Sequence, residues 1–254
     1  MKICVIGDIH GRNTWKEFAD IKFLLYAEPD AAGYGGFIPE YQKYVFVGDY
    51  VDSFTETNVI IKHNLLEIIR FKKLYPNHVE LLWGNHDVNY VQNLPWQPMK
   101  GHVSGFRPEA HFELYDIFNT NKDLFQVAYQ KNNYLFVHSG IHFGWYHFVF
   151  TKAIKEYKEF NDLSVAEQLN LAFEYNIECL HDIDWYRGGG NKVGGPLWAD
   201  KQMLDKKPLK YTHQIVGHNP VDEIRTYKPY KNNDASITFI DVLHTKKSFY
   251  TVII

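Results

Sequence analysis

Six residues of this 254-residue chain are types that bind transition metals, and all six stand in similar surroundings. Asp8 and His10 close "KICVIGDIHG", and Asp49 follows the apolar run of "KYVFVGDYVD". Asn85 lies in "VELLWGNHD", His138 in "NYLFVHSG" and His218 in "HQIVGHNP". Imidazole mixed with carboxylate suits Mn, Fe, Zn or Ni rather than Ca. Six donors exceed what one tetrahedral ion takes. They match two ions about 3.5–4 Å apart that share a bridging carboxylate. Asp49 is the natural bridge, because a carboxylate has two oxygens and a neutral imidazole one free lone pair. Taken singly, each cluster has a plainer reading as a capped turn, an Asn/Gly turn or a hydrogen-bonded core histidine. Only their convergence argues for metal.

The five runs that deliver these residues are short, continuous and rich in Val, Ile, Leu and Phe. That is the pattern of strands buried on both faces. In open α/β sheets the ligand crevice lies beyond the carboxyl ends of such strands, and all five polar clusters fall there. Helices are predicted between them. "NTWKEFADIKFLL" opens with Thr14 three residues before Glu17, a capping-box signature. "TNVIIKHNLLEIIRFKKLYP" places Ile60, Ile61, Asn64, Leu65, Ile68 and Ile69 near one helical face, with Pro76 beyond its end. Ser164 and Glu167 form a second box. The stretch 144–179 reads as helical, either a cap over the crevice or a crossover, and βαβ connections favour the crossover. "YRGGGNKVGGP", at 186–196, is a loop of mobile composition without the Gly-Lys-Ser/Thr of a P-loop. Together they make 144–195 a candidate helical and glycine-rich insertion near the cleft. The tail predicts a hairpin: "SITFIDVL", a turn at "HTKK", then "SFYTVII". No repeat or linker interrupts the chain, so 1–254 reads as one α/β domain.

Composition sets outer bounds. The chain is 45% hydrophobic and 17% aromatic, which indicates a globular fold. Its 27 basic and 30 acidic residues give a net charge of −3, which argues against general affinity for nucleic acid or anionic membrane. The basic residues include only five arginines: Arg12, Arg70, Arg107, Arg187 and Arg225. Two cysteines, Cys4 and Cys179, make a disulfide framework a poor fit and a reducing, cytoplasmic compartment a good one. The opening apolar run is too short for a signal peptide, and no run approaches a membrane span.

In order, "GDIHG", "GDYVD", "GNHD", "HSG" and "GHNP" resemble the motifs of the calcineurin-like metallophosphoesterases, over residues 7–219. The similarity is greatest to the branch of serine/threonine phosphoprotein phosphatases and symmetrical diadenosine tetraphosphate hydrolases. Pro220 stands where the phosphodiesterase and nuclease branch has a second histidine, which favours the phosphatase branch. The resemblance implies a central β-sandwich flanked by helices, with the metal site at the carboxyl ends of strands. It implies that Asp8 and His10 hold one divalent ion, that Asn85, His138 and His218 hold another, and that Asp49 bridges. Manganese is the first expectation, with Fe, Zn or Ni as alternatives. It further implies that His86 protonates the leaving oxygen while Asp52 orients it, and that metal-activated hydroxide attacks phosphorus in line. The expected activity is phosphomonoester hydrolysis on a phosphoprotein. A nucleotide or dinucleoside polyphosphate is the alternative substrate, and a non-catalytic scaffold on the same fold is the third reading.

Two departures qualify the resemblance. Ser53 stands where an arginine usually clamps phosphate, and serine cannot replace a bidentate guanidinium. Arg187 is the first candidate to take that role, followed by Arg12 and Arg107. "PLWAD", at 196–200, resembles a Leu-Trp-Ser-Asp stretch of the phosphoprotein phosphatases and lends weight to the nearby loop. Asp87 stands where those phosphatases have Glu; a helix cap is an adequate account of it. The oligomeric state is not readable from the sequence.

Overall fold

The computed structural model describes residues 1–18, 20–26, 39–91, 103–229, 234–244 and 246–254. The apolar runs form strands in two sheets. β1 (Lys2–Ile6), β2 (Lys43–Phe46), β3 (Val79–Leu82) and β4 (Phe125–Gln126) run parallel in that order, and β10 (Tyr250–Ile253) pairs antiparallel with β1. The second sheet has the order β5 (Ala128–Lys131), β6 (Tyr134–Val137), β7 (His213–Val216), β9 (Ser236–Phe239) and β8 (Arg225–Tyr227). β6, β7 and β9 are parallel, and β5 and β8 are antiparallel edges.

The runs are apolar without a break because each strand is covered twice. Ile3 and Val5 of β1, Val45 of β2, Phe136 of β6 and Ile215 of β7 share one buried cluster between the sheets. Their neighbours Cys4, Ile6, Tyr44, Phe46, Leu135, Val137 and Val216 turn the other way, into the core that the helices cover. The period of two therefore alternates between two apolar partners rather than between core and water.

α1 (Ile21–Tyr26), α2 (Asn58–Leu74) and α3 (His111–Thr120) accompany the first sheet in sequence. α2 starts at Thr57, whose hydroxyl accepts from Ile60 N, and it buries Ile61, Asn64, Leu65, Ile68 and Ile69 as expected. Ile60 is instead 42% exposed, and Phe71 completes the face. Buried Asn64 is satisfied twice: it accepts from Trp15 Nε1 at 2.7 Å and donates to Arg12 O at 2.9 Å. It thereby anchors the loop after β1 to α2.

Three expectations are corrected. Thr14–Glu17 is a single 3-10 turn without a side-chain cap, not the start of an α-helix. The tail is not a hairpin, because β9 pairs with β7 and β8 whereas β10 pairs with β1 in the other sheet. The turn expected at 244–247 includes Thr245, which lies outside the described residues. The third is Ile60, which faces solvent; the motifs themselves arrive from two sheets, as the sandwich implies, three strands from one and two from the other. The stretch after β6 is helical as expected, with a π-helical turn at Tyr146–Phe150 and a complete Ser164–Glu167 capping box on helix Val165–Glu174. It connects two parallel neighbours, as a crossover does.

Candidate metal centre

The loops at the strand ends are laced together before any side chain is considered. Ile9 N and His10 N both donate to Asp49 O, at 3.1 and 2.8 Å, and Gly11 N donates to Tyr50 O at 2.8 Å. Asp87 is fully buried and accepts from Gly84 N, Asp49 N and Tyr50 N at 2.8–2.9 Å. It is therefore a brace between the second and third motifs, not a helix cap. Burial and nearby Asp49 raise its pKa to about 7 against the pull of those amides. His10, Asp49, Asp52 and His218 all have left-handed backbones, with φ of 45°, 55°, 62° and 59°. Such conformations cost about 1–3 kcal/mol each in non-glycine residues and collect at functional sites. Two glycines are obligatory: a Cβ on Gly84 would lie 2.2 Å from Asp49 Oδ1, and one on Gly217 2.0 Å from Asp8 Oδ1.

The donor atoms form two groups. His10, Asp49 and His86 make one; Asp49, His138 and His218 make the other, each with ligand atoms within 4.8 Å of one another. Asp49 is common to both. His138 Nδ1 lies 2.7 Å from Val47 O, so it carries the proton and donates. Its Nε2 lone pair then faces Asn85 Oδ1 at 2.9 Å and Asp49 Oδ2 at 3.4 Å. His218 Nδ1 is 2.8 Å from the same Asn85 oxygen. His10 repeats the pattern, with Nδ1 donating to Val51 O at 2.9 Å and Nε2 turned to Asp49 Oδ2 at 3.7 Å. Acceptors aimed at acceptors repel unless a cation lies among them, so this donor set fits divalent transition metals.

Local electrostatics point the same way. Burial works against the Asp49 carboxylate, but the imidazoles around it, His138 and His86 foremost, outweigh it and hold the group well below its usual range; against burial, Asp49 in turn raises the His138 pKa. Burial lowers His10 to about 4 and His218 well below its ordinary value, which keeps both imidazoles neutral, the ligating form. Asp8 reaches the same cavity but stands outside both groups: its two oxygens accept from His218 N at 3.1 and 2.9 Å. Burial, Asp241 and Asp49 raise its pKa.

His86 packs edge-on to His10 at 4.9 Å and differs from the other imidazoles in its partner. Its Nδ1 lies 3.0 Å from Asp52 Oδ2, its backbone N–H donates to Asp49 Oδ1 at 3.0 Å, and its Nε2 is 3.9 Å from Asp49 Oδ2. Burial disfavours the imidazolium, but Asp49 and Asp52 outweigh it and raise the His86 pKa. Tyr90 OH donates to the second oxygen of Asp52. Sequence reasoning missed Tyr90.

A cavity of about 630 Å³ opens over these groups and takes in Arg12, Arg187 and Asp241. Arg187 pairs with Asp200 at 2.8 Å and donates to Asn219 Oδ1, which also accepts from Lys201 N at 2.9 Å. The "PLWAD" stretch and the "GHNP" loop thus form one wall with Arg187. Arg107 does not line the cavity: it donates to Ser53 O, to Glu56 O at 2.8 Å and to Asn58 Oδ1 at 3.0 Å, stitching the loop before α2. Ser53 is buried and its hydroxyl accepts from Thr55 N and Glu56 N, a turn-forming role. Asp241 was also missed. It is 4% exposed, and burial raises its pKa to about 6 while His244, 3.9 Å away, lowers it.

The decisive comparison is with the family model described as calcineurin-like phosphoesterase, which matches residues 1–243. The chain belongs to that family. A serine/threonine-protein phosphatase of Caenorhabditis elegans is 30% identical over 187 residues, covering 73% of this chain and 33% of that protein. Human serine/threonine-protein phosphatase 5 is 27% identical over 141 residues, covering 55% of this chain and 24% of that protein. The chain thus spans a third or less of the length of these relatives. The crystal structure of a cold-active protein-tyrosine phosphatase of a psychrophilic Shewanella species superposes with a TM-score of 0.50 at 17% identity, over 95% of this chain and 71% of that one. At that identity the likeness concerns the fold, two sheets with helices, as the motifs implied. Among the described residues no helix is long and apolar enough to cross a membrane.

Proposed function

We propose that this calcineurin-like phosphoesterase is a two-metal phosphomonoesterase of the serine/threonine protein phosphatase type. One observation carries the reading: two donor groups share Asp49, and in one of them His86 has its Nδ1 already committed to Asp52. Asp49 would serve both ions, with His10 and Asp8 holding one and Asn85, His138 and His218 the other. When bound, two divalent ions lower the pKa of water and neutralise charge on the phosphoryl oxygens; manganese is the first choice. Arg12 and Arg187 draw the phosphate group into the cavity. Of the two, Arg12 has the freer guanidinium, because Arg187 is tied to Asp200 and Asn219.

The chain's own chemistry is then a proton transfer. His86 acts as the imidazolium: its Nδ1–H donates to Asp52, which Tyr90 holds, and against burial Asp49 and Asp52 favour the charged form, so that Nε2 also keeps a proton facing the cavity. As water bonds to phosphorus and the ester bond breaks, His86 gives that proton to the leaving oxygen; the proton lost by water restores the balance. A positioned acid of this kind contributes about 10²–10⁴-fold. Residues 1–254 act as one domain, with 144–195 placing Arg187 at the cleft. The unpaired Cys4 and Cys179 support a reducing compartment.

The test is to strip the protein with chelator, add back Mn²⁺, and follow an aryl phosphate, a phosphoserine peptide, a dinucleoside polyphosphate and a bis-ester. Monoester turnover that returns with metal is expected. Preference for the dinucleotide or the bis-ester would overturn the substrate class, and silence with every metal would favour a scaffold.

A further inference from the structure

We infer that the wall around Phe54 selects substrates whose leaving oxygen is carried directly by an aromatic ring. The inference rests on the phosphomonoesterase reading above and moves its preferred substrate from alkyl esters such as phosphoserine to aryl esters. Phe54 is 78% exposed, yet its ring lines the same cavity as His86, Asp49 and His218. It lies two residues from Asp52, the partner of His86 Nδ1. The segment that carries it is clamped, with Arg107 donating to Ser53 O and Glu56 O, and Thr55 N and Glu56 N donating to Ser53 Oγ. A neighbouring loop also comes close: a Cβ built on Gly105 would lie 3.0 Å from Asp52 O and 3.4 Å from Phe54 Cζ. The far end of the ring therefore lies close to Gly105, while most of its surface stays exposed.

The lining residues divide between the two loops that supply the chemistry. Arg187, Trp198 and Pro220 belong with His218: Arg187 donates toward His218 O, and Trp198 packs edge-on to the His218 ring at 5.8 Å. Phe54 and Thr55 belong with Asp52 and His86, joined by Val103 and Ser104. With the leaving oxygen at His86 Nε2, the group it carries lies in the cavity that Phe54 lines. A ring bonded to that oxygen can stack on Phe54. In a nucleoside phosphate a sugar intervenes, and in a phosphoserine peptide the nearest groups are a methylene and polar backbone. Aromatic pairs stacked or edge-on, with centroids 4.5–7 Å apart, add binding beyond the area they bury.

The experiment compares wild type with Phe54→Ala, Phe54→Leu and Phe54→Tyr in the manganese-loaded protein. Substrates are phenyl phosphate, tyrosine phosphate, a phosphoserine peptide and adenosine monophosphate. Calorimetry measures binding of phenylphosphonate and methylphosphonate in parallel. Phe54→Ala and Phe54→Leu are expected to lower kcat/KM for the two aryl esters about three- to tenfold more than for the peptide, chiefly through KM. They should weaken phenylphosphonate relative to methylphosphonate by a similar factor, and Phe54→Tyr should restore both. Equal losses on aryl and alkyl substrates, or the largest loss on adenosine monophosphate, would overturn the inference. If wild type turns over no phosphoester, the phosphatase reading fails while the phosphonate ratio still decides the role of Phe54.

Discussion

On the proposed function, the pair His86–Asp52 separates chemistry from metal holding. Nδ1 of His86 is occupied at 3.0 Å and the ring is fixed from the backbone side by the Asp49 carboxylate. His86→Asn is expected to retain both ions by elemental analysis while losing about 10²–10⁴-fold of kcat on alkyl phosphates. The loss should be smaller on aryl phosphates, whose leaving groups need less help; loss of metal would show that His86 is a ligand instead. Tyr90→Phe removes one bond to Asp52 and leaves the packing against Phe106, at 5.2 Å, in place. It should shift the acid limb of the pH profile with little change in melting temperature. Among the sequence candidates, Asp49, His10, His138 and His218 meet as the motifs suggested, whereas Arg107 is spent on the loop. Asp241 and Tyr90 escaped notice because a lone Asp in an apolar tail and a lone Tyr after "GNHD" have no signature of their own.

At the scale of elements, the site depends on loops that bond to one another more than to their strands. Asp87 satisfies three amides from two loops, so Asp87→Ala would leave those donors buried and unpaired. A cost of about 1–3 kcal/mol per unmet group is expected, visible as a lower denaturant midpoint and weaker metal retention together. Gly84→Ala should be worse, because its Cβ would displace Asp49 itself. α2 contributes through Asn64: Asn64→Leu should cost about 1–3 kcal/mol by orphaning Trp15 Nε1, and should raise KM for phosphate esters as the Arg12 loop loosens. β1, β2, β3, β6 and β7 were legible because both faces are apolar. β4, β5 and β8 were not, being two to four residues long and partly or wholly exposed at sheet edges. The failed capping box at Thr14 has a plain cause: Trp15 is drawn fully into the core beneath Phe46, and the chain turns before a helix can continue.

For the molecule as a whole, metal and fold should stabilise each other. The ligands come from positions 8 to 218 and from two sheets, so they are assembled only in the folded state. Ions at about one hundred times their dissociation constant then add about 2.7 kcal/mol. Manganese should raise the melting temperature of chelator-treated protein, and Asp49→Asn should abolish most of that rise because one side chain serves both groups.

By itself the sequence determined which residue types are present and that apolar runs deliver them at strand ends. The period of a strand and the chemistry of Asp, Asn and His are local properties that need no distant partner. Ordered motifs were enough to name the family. Only the tertiary structure decided that β9 and β10 belong to different sheets, that Asp87 braces loops, and which arginines face the cavity. Each of those outcomes depends on partners far away in sequence, such as Asn219 for Arg187 and Val252 for Ile3. Long-range contacts of that kind leave no periodic trace in a single chain.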